Sequence, residues 1–341
     1  MSNKNREMIT ELPFDLPYIS GPNEIPNDDY HNGEQYEKFI SSTELKRMIT
    51  SPKFFKWCQD HPNDTRTISL ESELKGSVYH DLLASKVNHG NYSGFERDWC
   101  VFSPPINDRT GQPFGYSTKA FTDAYDAFQA INIGRQICSQ AEVDLAKTMI
   151  KEMVEGNSPL SKDVRFFIKN GQAEQSHFVE YKDPETGYVG YFKYRTDLKT
   201  VTKMFDWKSC GFEDPKLENW SRHVVKYGYH ISAAFYQFFE HVRTGVWKPF
   251  YWIVQEKEPP YDFNIIDAGN WAYDVEITTQ IVEKKIGGQI VDELIKALLR
   301  CSHTGEWGGY WLFTMPDWKG HRIGRAPVPG YEKNNLIHFN F

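Results

Sequence analysis

Two acids and a lysine stand close together in "TDLKTVTKMFDWKSC", residues 196–210. Alternate residues of a strand share a face, so Asp206 and Lys208 point one way while Phe205 and Trp207 point the other. If the chain reverses near Val201–Thr202, Asp197 comes to lie across from Asp206, at the roughly 4.5–5.5 Å spacing of cross-strand neighbours. The pair Val-Thr is poor turn chemistry, because nothing in it favours positive φ. The register is therefore inferred from the chemistry it permits. Carboxylates converging in this way repel unless a cation sits between them. All-oxygen ligation suits Mg²⁺ or Mn²⁺, and a lysine beside such an ion can orient a water or steady charge developing on a phosphate. The chemistry expected is metal-assisted phosphodiester hydrolysis. The ordinary alternative is a solvated Asp–Lys pair on a sheet edge, which contributes little.

The elements that must hold this hairpin follow from periodicity. Residues 1–37 are rich in Pro, Asn, Asp and Glu and read as a flexible or loosely docked arm, leaving 38–341 as one domain. A helix opens in "ISSTELKRMITSPKFFKWCQ", with Ser41 or Ser42 as cap and Glu44 in its first turn. A second helix covers "SELKGSVYHDLLASKV", "FSPPINDRTGQPFGY" is a loop, and 118–155 reads as helix. The period then changes to that of strands through "SHFVEYKDPETGYVGYFKYRTDL" and "VTKMFDWKSC". A long helix over "WSRHVVKYGYHISAAFYQFFEHVRTG" ends at Gly245. Strands "PFYWIVQE" and "FNIIDA" follow, then a helix over "TTQIVEKKIGGQIVDELIKALLRC" and an irregular tail. The order predicts an α/β fold with a central mixed sheet flanked by helices.

Composition narrows the partners. Of 341 residues, 40% are hydrophobic and 25% charged, as in an ordinary globular protein, and the net charge of −7 disfavours a protein that merely coats nucleic acid. A local basic stretch is still present: Lys193, Arg195, Lys199, Lys203 and Lys208 accompany only Asp197 and Asp206 between 193 and 208. No apolar run reaches membrane-spanning length, and the first residues lack a signal-peptide core. Five scattered cysteines form no C-x-x-C pair, which points to a reduced, cytoplasmic protein without a disulfide framework or zinc knuckle.

Taken in order, "ISSTELKRMITSPKFF", "GSVYHDLL", "DRTG", "GQAEQSHFVEYKDPETG", "KYRTDL", "FDWKSC", "WSRHVVKYGYHISAAFYQ", "FYWIVQEKEPPYDF" and "WGGYWLFTMPDWKG" resemble the PD-(D/E)-x-K nuclease superfamily. The resemblance is specifically to its RecE-like (exodeoxyribonuclease VIII) and phage lambda-exonuclease-like branch. It implies a restriction-endonuclease-like core with Asp197 and Asp206 as metal-binding acids, the Trp207 carbonyl as a further ligand, and Lys208 as catalytic lysine. Glu174 matches the upstream acid, ahead of Glu180. His80 matches the histidine of the G-x-x-x-H helix, and Arg195 an arginine that contacts phosphate. Tyr229 and Tyr236 match the tyrosine-bearing helix.

One departure stands out: Ser232 occupies a position where the family commonly carries glutamine, and a serine has shorter reach and no amide donor. Gln237 faces elsewhere and is a doubtful substitute. The implied activity is Mg²⁺-dependent resection of double-stranded DNA from an end, 5′→3′, leaving 3′ tails. The implied setting is a ring-shaped homo-oligomer, phage- or prophage-encoded, working beside a RecT-like annealing protein. A catalytically weak DNA-end-binding scaffold is the alternative that Ser232 motivates. An iron–sulfur nuclease is disfavoured because the cysteines are not grouped.

Overall fold

A computed structural model describes residues 25, 29–30, 33–62 and 70–309, without the side chains of 70–76. Most of the arm and the tail motif "WGGYWLFTMPDWKG" beyond Gly309 lie outside the described residues.

The frame is a sheet of order β3-β4-β5-β6-β7, formed by β3 (Gly171–Lys182), β4 (Val189–Thr200), β5 (Met204–Cys210), β6 (Phe250–Glu256) and β7 (Phe263–Asp267). β5 and β6 run parallel and the other neighbours antiparallel, so the sheet is mixed, as expected. Its strands are built of aromatic and β-branched residues that alternate between two buried faces. Two helices cover one face: α9 (Tyr229–Thr244) and α10 (Ile286–Thr304). There Phe192, Tyr194, Met204 and Trp252 pack with Phe235, Phe239, Leu294 and Leu298. The other face carries α3 (Leu70–His89), α6 (Gln140–Glu155) and α7 (Pro159–Lys169). Leu198, Phe205, Trp207 and Ile253 meet Leu82, Leu83, Met149 and Met153 in that layer. Phe205 and Trp207 thus enter one layer while Asp206 and Lys208 face the other.

Short elements complete the chain. α1 (Ser42–Lys46) begins with a capping box in which Ser41 and Glu44 satisfy each other's amides. α2 (Pro52–Asp60), α4 (Ser93–Asp98), β1 (Trp99–Phe102), α5 (Lys119–Ile131) and β2 (Gln136–Ser139) precede α6. α8 (Leu217–Lys226) precedes α9, and β8 (Tyr273–Glu276) pairs with β9 (Ile281–Lys284).

Three expected helices are shorter or divided. The run over 118–155 breaks into α5, β2 and α6, because Gly134 takes φ +80° and Ser139 with Glu142 forms a fresh capping box. The run before Gly245 breaks into α8 and α9 at Gly228, φ +64°. The last helix begins only at Ile286, since the segment before it pairs as β9. α7, a helix the periodicity did not suggest, carries its own signal in Ser158 as cap and Pro159 in the first turn.

Ile25, Tyr30 and Tyr36 are buried around Phe178, and the Ile40 amide bonds the Tyr191 carbonyl. Aromatic side chains within a polar stretch supply that contact.

Candidate active site

The site forms where β4 and β5 part. Their turn closes at Val201–Thr202, with the Thr200 amide bonded to the Lys203 carbonyl at 2.9 Å. Leu198 then pairs with Phe205 and Lys199 with Met204, and no further pair is formed. Continued by one residue, that register sets Asp197 opposite Asp206. Here the strands diverge, and the Trp207 amide donates to Asp197 Oδ2 at 2.7 Å in place of a main-chain carbonyl.

On the far side of β4, Ala173 pairs with Leu198 and Gln175 with Thr196, which leaves Glu174 facing Asp197 across the ladder. Glu174 has φ +55°, a conformation that costs a non-glycine residue free energy and concentrates at functional sites. From α3, His80 Nδ1 approaches Asp197 Oδ2 at 3.3 Å. One ligand atom each from His80, Glu174 and Asp197 lies within 4.8 Å of the others.

Asp206 stands beside this trio, with Oδ1 accepting from Lys208 Nζ at 2.6 Å. The same ammonium donates to the Trp207 carbonyl at 3.2 Å and lies 5.5 Å from the centre of the Tyr229 ring. Tyr229 in turn stacks on Trp220 at 5.3 Å. Tyr236 is enclosed deeper on α9, against Tyr194 and Phe250. Ser232, one turn from Tyr229, accepts from Lys46 Nζ at 3.2 Å.

Burial and like charge set the protonation of this group. Burial, with Asp197 adding repulsion, pushes the Glu174 carboxyl up to about 8. Burial also raises Asp206, to about 7, against the pull of Lys208. Asp197 is itself held below the usual carboxylate range: burial opposes its charge, and His80 and Lys208 outweigh burial. His80 is raised because Asp197 overcomes the burial that works against an imidazolium. Lys208 is raised, again against burial, by Asp206 and Asp197. Burial first, and repulsion from Asp197 second, thus disfavour the charged forms of Glu174 and Asp206. Two carboxylates and an imidazole in this compass fit a divalent cation, and their oxygens suit a hard one.

The sequence-selected residues fall into groups. His80, Glu174 and Asp197 converge; Asp206, Lys208, the Trp207 carbonyl and Tyr229 form a second group beside them. Arg195 is placed elsewhere. It is only 7% exposed, donates to Ser176 Oγ at 2.8 Å and the Ile25 carbonyl at 3.2 Å, and lies 4.1 Å from the Tyr30 ring centre. Its guanidinium approaches Glu174 at 3.9 Å. Arg195 is thus committed to the protein side of the site. Glu180 pairs with Tyr191 further along the sheet. Gln237 is fully buried and bonds the Tyr273 main chain and the Lys248 carbonyl, so it serves the core. Missed altogether was Lys46, for which the only hint was a basic residue in "TELKR".

The five cysteines are free and buried. Among the described residues no helix is long and apolar enough to cross a membrane.

Residues 111–307 match the model of a family described as "PDDEXK-like domain of unknown function (DUF3799)". Among solved structures, the chain is similar to that of "Putative exonuclease" from Eubacterium rectale. The identity is 15%, the TM-score 0.46, and the match covers 90% of this chain and 96% of that one. No curated protein matches.

Proposed function

We propose that this chain, which belongs to the PDDEXK-like family DUF3799, is a Mg²⁺-dependent exonuclease of the RecE-like branch. It would resect double-stranded DNA from an end, 5′→3′, leaving 3′ single-stranded tails for recombination. Mn²⁺ would serve in place of Mg²⁺. The observation that carries this reading is the convergence of His80, Glu174 and Asp197 within 4.8 Å beside the Asp206–Lys208 pair.

Glu174 and Asp197 would hold the cation, with His80 as a nitrogen donor and Asp206 at its margin. When bound, the ion supplies Lewis acidity and a hydroxide at neutral pH. The rest falls to the side chains. Lys208 Nζ, fixed by Asp206, the Trp207 carbonyl and the Tyr229 ring, orients the attacking water and meets charge growing on the phosphate. His80 holds the Asp197 carboxylate, and Arg195 steadies Glu174 from behind. The partner proposed is the end of a DNA duplex, met by a ring-shaped homo-oligomer acting with a RecT-like annealing protein. The setting proposed is the cytoplasm of a bacterial host of the phage or prophage.

A linear duplex labelled at one 5′ end, incubated with Mg²⁺ or EDTA, tests this for the natural chain and Lys208→Ala. Release of label from the 5′ end that needs Mg²⁺ and is lost in the variant is the expected result. A duplex bound but left intact would favour the end-binding scaffold, and equal cleavage by the variant would place the chemistry elsewhere.

A further inference from the structure

Lys46 closes α1, and its stem crosses Gly228 on the way to Ser232. A Cβ added at Gly228 would stand 3.2 Å from Lys46 Cδ, so the bare backbone there makes room for the lysine. Its ammonium donates to Ser232 Oγ at 3.2 Å, and among the described residues no carboxylate lies within ion-pair distance of it. The charges that act on it belong to the site: Lys208 opposes its charge and Asp206 favours it. Asp206, however, is already bonded to Lys208 at 2.6 Å. A half-buried cation held by one neutral hydroxyl is costly unless an anion completes it.

We propose that Lys46, steadied by Ser232, is a substrate-binding residue that takes a phosphate oxygen of the DNA strand laid across Asp197 and Lys208. This rests on the nuclease reading above and deepens it. The hydroxyl at 232 is short, and the lysine from α1 brings a charged donor to the same place. Lys46 forms no ion pair with Asp197 or Glu174, so its part is to hold the strand, not to activate water. Lysine suits that task as a point charge whose donors rotate to a phosphate.

The test compares the natural chain with Lys46→Met, Lys46→Arg and Ser232→Ala. A short blunt DNA duplex is the probe, bound in EDTA over a range of salt and cleaved in Mg²⁺. Lys46→Met should raise KM about ten- to a hundredfold with kcat changed by less than about twofold. It should also make the salt dependence of binding shallower by about 0.9, the share of a single duplex phosphate that is no longer neutralised. Lys46→Arg should keep the slope, and Ser232→Ala should raise KM less than Lys46→Met does. Thermal melts identify a misfolded variant, and Lys46→Arg then carries the comparison: a fall in its salt slope overturns the proposal. An unchanged slope and KM in a folded Lys46→Met also overturns it, while Lys208→Ala still shows the nuclease reading to hold. A natural chain that neither binds nor cuts the duplex fails the nuclease reading, and the inference falls with it.

Discussion

The main-chain N–H of Trp207 donates to Asp197 Oδ2 at 2.7 Å, so a candidate metal-binding acid also completes the hydrogen bonding of the strand beside it. The same oxygen faces His80 Nδ1 at 3.3 Å. Structure and chemistry at this position can therefore be separated by choice of substitution.

Asp197→Asn keeps an oxygen to accept from Trp207 but removes the charge. Its Mg²⁺-dependent cleavage should fall at least about a hundredfold with the melting temperature nearly unchanged. Asp197→Ala should lose cleavage and in addition about 1–3 kcal/mol of stability, for the orphaned amide. In Asp197→Asn the imidazole of His80 should also titrate lower than in the natural chain, since Asp197 is what raises it. Urea unfolding and proton NMR of the histidine check these outcomes.

The carboxylates predict a pH dependence with a definite sign. Glu174 and Asp206 are raised to about 8 and about 7, so in the metal-free protein the folded state binds more protons than the unfolded chain at mildly acidic pH. Their contribution to stability is present below their unfolded values and is lost as pH rises through about 7 to 8. The melting temperature in EDTA should fall across that window, and less steeply in Glu174→Gln. Mg²⁺ competes with those protons, so its affinity should rise over the same window. Calorimetric titration of Mg²⁺ at several pH values, beside melts in EDTA, measures both.

Away from the site, Glu240 is fully buried and holds three cations together. Lys248 lies at 2.9 Å, Arg243 at 2.8 Å and Lys199 at 3.6 Å, and Tyr194 donates to the same carboxylate. Glu240→Gln leaves the lysines and the arginine without a countercharge. It should cost about 3–5 kcal/mol in denaturant unfolding, whereas Glu185→Gln, whose partner Lys296 is exposed, should cost less than about 1 kcal/mol.

Gly228 tests the break between α8 and α9. With φ +64°, Gly228→Ala should lose about 1–2 kcal/mol, and Gly228→Asn less, because asparagine tolerates the left-handed region. The added Cβ also meets the Lys46 stem, so Gly228→Ala should bind the duplex more weakly than its stability loss explains.

What could be seen in the sequence was whatever a short stretch determines. The two-residue period of β5 put Asp206 with Lys208, and the separation of Asp197 from Asp206 implied a tight turn even though Val201–Thr202 is poor turn chemistry. Helix limits at Ser41 and Gly245 were legible from capping residues. Gly228 and Gly134 were not, because an isolated glycine in an apolar pattern can be tolerated within a helix. The enclosure of Arg195 depends on Ile25 and Tyr30, which arrive from far away in the chain. Lys46 and Ser232 are 186 residues apart, and only the packing of α1 against α9 brings them together. Resemblance singled out Glu174, but nothing local announces its left-handed backbone.

The unequal flanks of β5 have a mechanical consequence. It is joined to β6 along Met204–Cys210 but to β4 only at Leu198–Phe205 and Lys199–Met204. The sheet is in effect two plates, β3–β4 and β5–β6–β7, riveted at a seam two residues long. Asp197 and Glu174 ride on one plate, Asp206 and Lys208 on the other. Relative tilt of the plates therefore changes the gap between the two groups while leaving each group's internal distances intact, and the hydrogen bond from Trp207 to Asp197 is the strut that sets the gap.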